Sequence, residues 1–120
     1  MSRPREFSPE AVIAISRSAF AANGYFGTSI DDLVKATNLH RGSLYKAFGS
    51  KRNLFEAALL EVALDFSPTA ENLNLLTVAL KELAQSDTGI KTHCESIVEG
   101  NKKKFSLLLG NNLLSKLEDE

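Results

Sequence analysis

Thr28-Ser29-Ile30-Asp31-Asp32-Leu33-Val34-Lys35-Ala36-Thr37-Asn38-Leu39-His40-Arg41-Gly42-Ser43-Leu44-Tyr45-Lys46-Ala47-Phe48 is the stretch whose reading decides the fold. Ser29 with Asp32 three residues on is a weak capping box, so a helix starts there. Ile30, Leu33 and Val34 give that helix an i, i+3, i+4 apolar stripe, and it lasts about two turns before Thr37-Asn38. Glycine apart, asparagine is among the residues that best tolerate the left-handed backbone a tight helix-to-helix turn demands. A second short helix follows around Arg41–Phe48, with His40 at its mouth and Leu39, Leu44 and Phe48 available to anchor it. Two such helices, over about residues 29–48, are the parts of a helix-turn-helix, whose second helix enters a DNA major groove while the first braces it.

Outward from this pair everything reads as helix, and the sustained alternation expected of strands is missing. Ser8-Pro9-Glu10 opens a first helix with a capping serine, a proline at the first position and an acid in the first turn. Val12, Ser16, Ala19 and Phe20 form its inner face, and Asn23-Gly24 stops it. Gly49-Ser50 caps a fourth helix with Leu54, Phe55, Ala58, Leu59, Val62 and Phe66 on one broad apolar face. Ser67-Pro68 repeats the opening signal and starts a fifth helix, which Asp87-Thr88-Gly89 breaks. Ile90, Cys94, Ile97 and Val98 suit a helix to about Glu99, and Phe105, Leu108, Leu109, Leu113 and Leu117 suit a last one; one kinked helix or two would fit the pattern. The predicted fold is all-α: a three-helix head over residues 1–50, then a long linking helix and a short helical region within 51–120.

The Leu73, Leu76, Leu80, Leu83 stripe and the tail stripe, with Leu109 and Leu113, have too few partners to be buried within one chain. A symmetric homodimer sharing one bundle is the expected solution. A drug-sized pocket needs several walls, so a small effector site is the lesser expectation here.

Composition narrows the function class. An apolar share of 43% and a charged share of 24% are those of an ordinary globular protein. No apolar run approaches a membrane span, and Met1-Ser2-Arg3-Pro4-Arg5 is not followed by the apolar core of a signal peptide. The lone Cys94 cannot form an internal disulfide, which fits a reducing cytoplasm. No Ser/His/Asp set, Gly-rich phosphate loop or metal-spaced cluster is visible, so neither an enzyme nor a cofactor or metal is expected. His93 and Cys94, being adjacent on a helix, point in different directions, and Lys102-Lys103-Lys104 reads as a solvated basic face. The net charge of −1 hides an asymmetry: residues 1–55 hold eight basic and four acidic side chains, the remainder six basic and eleven acidic. A polyanion would meet the first half.

Charge placement points the same way. Cations at a helix N-terminus are disfavoured by a few tenths of a kcal/mol up to roughly 1. Yet Arg41 opens the third helix and Lys51-Arg52 open the fourth, with no compensating gain legible in the sequence. A phosphate would supply that gain by accepting from helix-end amides and basic side chains together. Tyr45 can set its ring against the bundle and its hydroxyl on a phosphate; Thr28 can do likewise or serve as a simple cap. Gly42 weakens so short a helix by roughly 0.5–1 kcal/mol, which suggests close approach of a partner.

The runs Phe20-Ala21-Ala22-Asn23-Gly24-Tyr25-Phe26-Gly27-Thr28-Ser29-Ile30 and Leu39-His40-Arg41-Gly42-Ser43-Leu44-Tyr45-Lys46-Ala47-Phe48-Gly49-Ser50-Lys51-Arg52-Asn53-Leu54 resemble the TetR (tetracycline-repressor-like) transcriptional regulators over about residues 8–66. The resemblance implies a homodimeric, usually repressing regulator whose two reading helices enter successive major grooves of a near-palindromic operator in double-stranded DNA. It also implies phosphate contacts by Thr28, Tyr45 and Lys51, to which charge placement adds Arg52. Base-edge contacts would come from His40, Arg41, Ser43 and Lys46, with Gly42 at the point of close approach. Arginine paired to guanine is the commonest specific contact, which makes Arg41 the first choice as reader. Three features depart from the family pattern: Thr37-Asn38 replaces its usual Ala-Gly, Ala47 stands where an aromatic residue or histidine is common, and the region after the fourth helix is short. A second reading is therefore a truncated member that pairs with another regulator as a protein-interaction module; the retained Thr28, Tyr45 and Lys51 favour the first.

Overall fold

A computed structural model describes residues 7–118, and all regular structure among them is helical. Arg3 and Arg5 of the basic first half, and the start at residues 1–5 with its expected lack of a signal peptide, lie outside the described residues.

Helix α1 spans Pro9–Asn23, with the Ser8 hydroxyl accepting from the Ala11 amide and Gly24, at φ +86°, closing it onto Phe20 O. Helix α2, Ile30–Thr37, has the full capping box: Ser29 accepts from the Asp32 amide at 3.0 Å and Asp32 from the Ser29 amide at 2.9 Å. Asn38 sits in the left-handed region (φ 60°, ψ 28°), and α3 follows at once over Arg41–Phe48. Gly49 and Ser50 separate it from α4, Lys51–Leu64.

Helix α5, Ala70–Val78, begins later than Ser67-Pro68 suggests, because the Thr69 hydroxyl accepts from the Asn72 amide and Ser67 offers its carbonyl to the Asn72 side chain instead. A π turn, Ala79–Leu83, continues it. Asp87 caps α6, Thr88–Val98, and α7 covers Lys102–Leu114 before a 3-10 turn at Ser115–Leu117. The tail is thus two helices, divided where Glu99 and Gly100 both take positive φ.

One apolar core runs from Val12 to Phe105 and crosses position 50 without interruption. Phe20 and Phe55 meet edge-to-face at its centre, 5.1 Å between centroids, and Tyr25 packs against both. Polar ties reinforce it: Arg17 of α1 binds Glu61 of α4 and Glu71 of α5, and Asn112 of α7 donates to Asn74 of α5.

The expected dimer stripe needs correction. Leu73 and Leu76 of α5, which packs against α1 and α7, are buried inside the single chain, and so is Leu83 of the π turn, which packs against α6. Only Leu80 and Leu113 of the expected set are exposed, and Leu109 is half-buried.

Candidate nucleic-acid interface

Helix α3 is held from one side. Leu39 and Leu44 are buried, Phe48 is half-buried, and the fully buried Leu33 braces the pair from α2. The remaining side of α3 presents His40, Arg41, Gly42, Tyr45, Lys46 and Ala47 to solvent, with Ser43 half-buried. The helix mouth has no side-chain cap, and the carbonyl of His40 takes the amides of Ser43 and Leu44. Free amides at a helix start beside basic side chains can donate to an anion. A Cβ on Gly42 would meet nothing within 4 Å among the described residues, so no packing between them accounts for this glycine. The five residues expected from the sequence at base edges therefore gather around the first two turns of α3, four of them exposed and Ser43 half-buried, and the exposed Tyr45 joins them.

The other expected phosphate contacts behave differently. Thr28 has 0% exposure, and its hydroxyl donates to Gly24 O at 2.7 Å, so it fastens the turn after α1 and does not face outward. The Nζ of Lys51 donates to Tyr25 O and Thr28 O at 3.0 Å each and lies 4.3 Å from the centroid of the Tyr25 ring. Arg52 turns toward the start of α6, where it binds the capping Asp87, and it also pairs with Glu56 one turn along α4. Arg41 also has an internal partner, Asp31 at the start of α2, although both groups stay exposed. The cations at the starts of α3 and α4 thus do gain something in the free protein, because each meets an acceptor: Arg41 on the preceding helix α2, Lys51 and Arg52 on segments further away in sequence. The Arg41–Asp31 pair leaves the guanidinium on the open face of α3, where a base edge or phosphate can compete for it.

Several residues that shape this region carried no local signal. Glu82 accepts the amides of Tyr25 and Phe26, and Tyr25 gives Lys51 its aromatic platform. Burial pushes the Tyr25 phenol up from its ordinary range. Asp87 is the exception: its place before Thr88-Gly89 marks a helix start, although its pairing with Arg52 is legible only in three dimensions.

In the second half, a groove of about 720 Å³ opens between the π turn, α6 and α7, walled mainly by Leu80, Cys94, Val98, Phe105 and Leu109. Burial pushes the Cys94 thiol up to about 11, so it behaves as a packed apolar group. His93 points away from it and meets Glu56 at 3.0 Å. Among the described residues no cluster of three metal-ligating side chains occurs, and no helix is long and apolar enough to cross a membrane.

Residues 12–58 match a family described as bacterial regulatory proteins, tetR family. The chain is similar to the HTH-type transcriptional repressor BdcR of Escherichia coli (strain K12), at 34% identity over 91 residues that make up 69% of this chain and 46% of that protein. It is 39% identical over 59 residues to the uncharacterized HTH-type transcriptional regulator YezE of Bacillus subtilis (strain 168), covering 49% of this chain and 30% of that one. A third likeness, 34% identity over 50 residues, is to IcaR of Staphylococcus aureus (strain Newman), the biofilm operon icaADBC HTH-type negative transcriptional regulator; it covers 42% of this chain and 27% of that one. The chain spans less than half the length of each of these relatives. No solved structure gives a significant match.

Proposed function

We propose, from the match of residues 12–58 to the tetR family of bacterial regulatory proteins, that this chain is a sequence-specific DNA-binding transcriptional regulator, acting in the cytoplasm as a repressor. The observation that carries this reading is the outward end of α3. His40, Arg41, Gly42, Ser43 and Lys46 stand there around an uncapped helix mouth, while Leu39 and Leu44 fix the opposite side in the core. Arg41 and Lys46 read base edges in the major groove, with Arg41 leaving Asp31 for a guanine. Tyr45 and the free amides of the α3 mouth hold the backbone phosphates. Lys51 and Arg52 serve by fixing the head and leave phosphate binding to these groups.

The regulator is proposed to act as a homodimer on a near-palindromic operator. Its pairing face draws on the apolar surface that the single chain leaves open on α7 and beyond, at Leu107, Leu113, Leu114 and Leu117. A monomeric mass in solution at micromolar concentration would contradict that assembly. The groove beside Cys94 is proposed as the place for a small apolar effector.

The direct test is selection of duplexes from fragmented genomic DNA by the purified chain. Enrichment of a common, near-symmetric sequence is expected; recovery of unrelated fragments in proportion to input would overturn the proposal.

A further inference from the structure

Glu82 stands on the π turn of the body, yet its carboxylate belongs to the head. Its Oε1 accepts the backbone amide of Tyr25 at 3.0 Å and that of Phe26 at 2.9 Å, across more than fifty residues of sequence. Two separate features make room for this contact. Gly24 takes φ +86°, and a Cβ there would fall 2.7 Å from Glu82 Oε2, so the carboxylate lies against bare backbone. The π turn, Ala79–Leu83, interrupts the α-helical register where Glu82 projects, and such insertions in helices cluster at functional positions. Lys51 then takes the carbonyls of Tyr25 and Thr28, so the loop's amides are held from the body and its carbonyls from α4.

This loop leads directly into the Ser29 cap of α2, and α2 braces α3. Its attachment therefore bears on the angle at which α3 leaves the body. We propose that Glu82 is a positioning residue for DNA reading: its hold on the Tyr25 and Phe26 amides sets the orientation of the helix-turn-helix on the body, and so the spacing between the half-sites that the regulator accepts. The proposal rests on the regulator reading above. A head without the clamp samples other orientations, and its affinity for the correctly spaced site falls by the fraction of time spent in them. Contacts to a duplex of arbitrary sequence impose no such spacing and are unaffected.

The test uses the full chain and its Glu82→Ala and Glu82→Gln variants. Hydrogen exchange is followed at the Tyr25 and Phe26 amides, and binding is measured to the selected duplex, to the same duplex with one or two base pairs inserted between half-sites, and to a scrambled duplex. In Glu82→Ala the two amides exchange faster, affinity for the selected duplex falls about tenfold, spacing discrimination narrows, and scrambled-duplex binding is unchanged. Glu82→Gln keeps a neutral acceptor oxygen and stays within about threefold of the parent. Should Glu82→Ala fail to fold, Glu82→Asp, one methylene short of the amides, carries the same expectations. Faster exchange with unaltered affinity and spacing preference would overturn the proposal, as would unaltered exchange. A parent chain that selects no duplex would overturn the regulator reading itself and the positioning role with it, while the exchange data would still show whether the clamp holds the loop.

Discussion

The guanidinium of Arg52 embraces the carboxylate of Asp87, Nε to Oδ2 and Nη2 to Oδ1 at 2.8 Å each, and so ties the first turn of α4 to the cap of α6. Asp87 also accepts the Ile90 amide at 3.1 Å, and Arg52 reaches Glu56, whose other oxygen meets His93. The Arg52 guanidinium first, and the Ile90 amide second, hold the Asp87 carboxyl well below the usual carboxylate range. An unfolded aspartate titrates near pH ~3.9. The folded state therefore gains stability from this group at and above that pH and loses it as the pH falls toward the depressed folded value. Asp87→Asn is expected to cost about 1 kcal/mol at pH 7, a modest figure because both partners keep contact with water. The difference should shrink at pH 3, as measured by urea denaturation at both pH values; an equal difference at the two would refute the linkage.

Lys51→Ala is expected to lower stability by about 1–2 kcal/mol, since it removes two hydrogen bonds from an ammonium to backbone carbonyls and the contact with the Tyr25 ring. At temperatures where the variant is folded, the salt dependence of its DNA binding should match that of the parent. A slope reduced by one phosphate's worth with unchanged stability would restore the direct contact implied by the family resemblance.

Ser16→Ala is expected to stabilise the chain. The Ser16 hydroxyl is fully buried on α1 and has no hydrogen-bond partner among the described residues, and such a group costs about 1–3 kcal/mol. Alanine also has the higher helix propensity. A rise of a few degrees in the melting temperature is the expected readout; a fall would mean the hydroxyl has a partner in solution.

Arg41→Ala is expected to cost roughly 1–3 kcal/mol at the selected duplex and to relax the preference at one base pair in each half-site. The fold should hold, because the Arg41–Asp31 pair is exposed on both sides. Uniform weakening on all sequences would recast Arg41 as a phosphate contact.

The helix-turn-helix was legible because its determinants are local: the Ser29–Asp32 box, the left-handed Asn38 and the Gly49-Ser50 junction each lie within a few residues of what they control. The exposed side of α3 was legible for the same reason, through the spacing of Leu39, Leu44 and Phe48. The partners of Lys51 and Arg52 were not, since Tyr25 and Asp87 meet them only after the helices pack, and a cation at a helix start looks identical whether a phosphate or a carboxylate awaits it. The leucines of α5 misled for a related reason. Their stripe shows that one side is buried but not against what, and α1 and α7 of the same chain supply the cover expected from a second subunit.

The central claim, that α3 reads double-stranded DNA by sequence, is tested most directly by titrating the chain onto the selected duplex and a scrambled one at several salt concentrations. Both affinities are expected to fall steeply with salt as phosphate contacts are lost, with the selected duplex bound at least about a thousandfold more tightly at physiological salt. Equal affinity for the two duplexes at every salt concentration would contradict it.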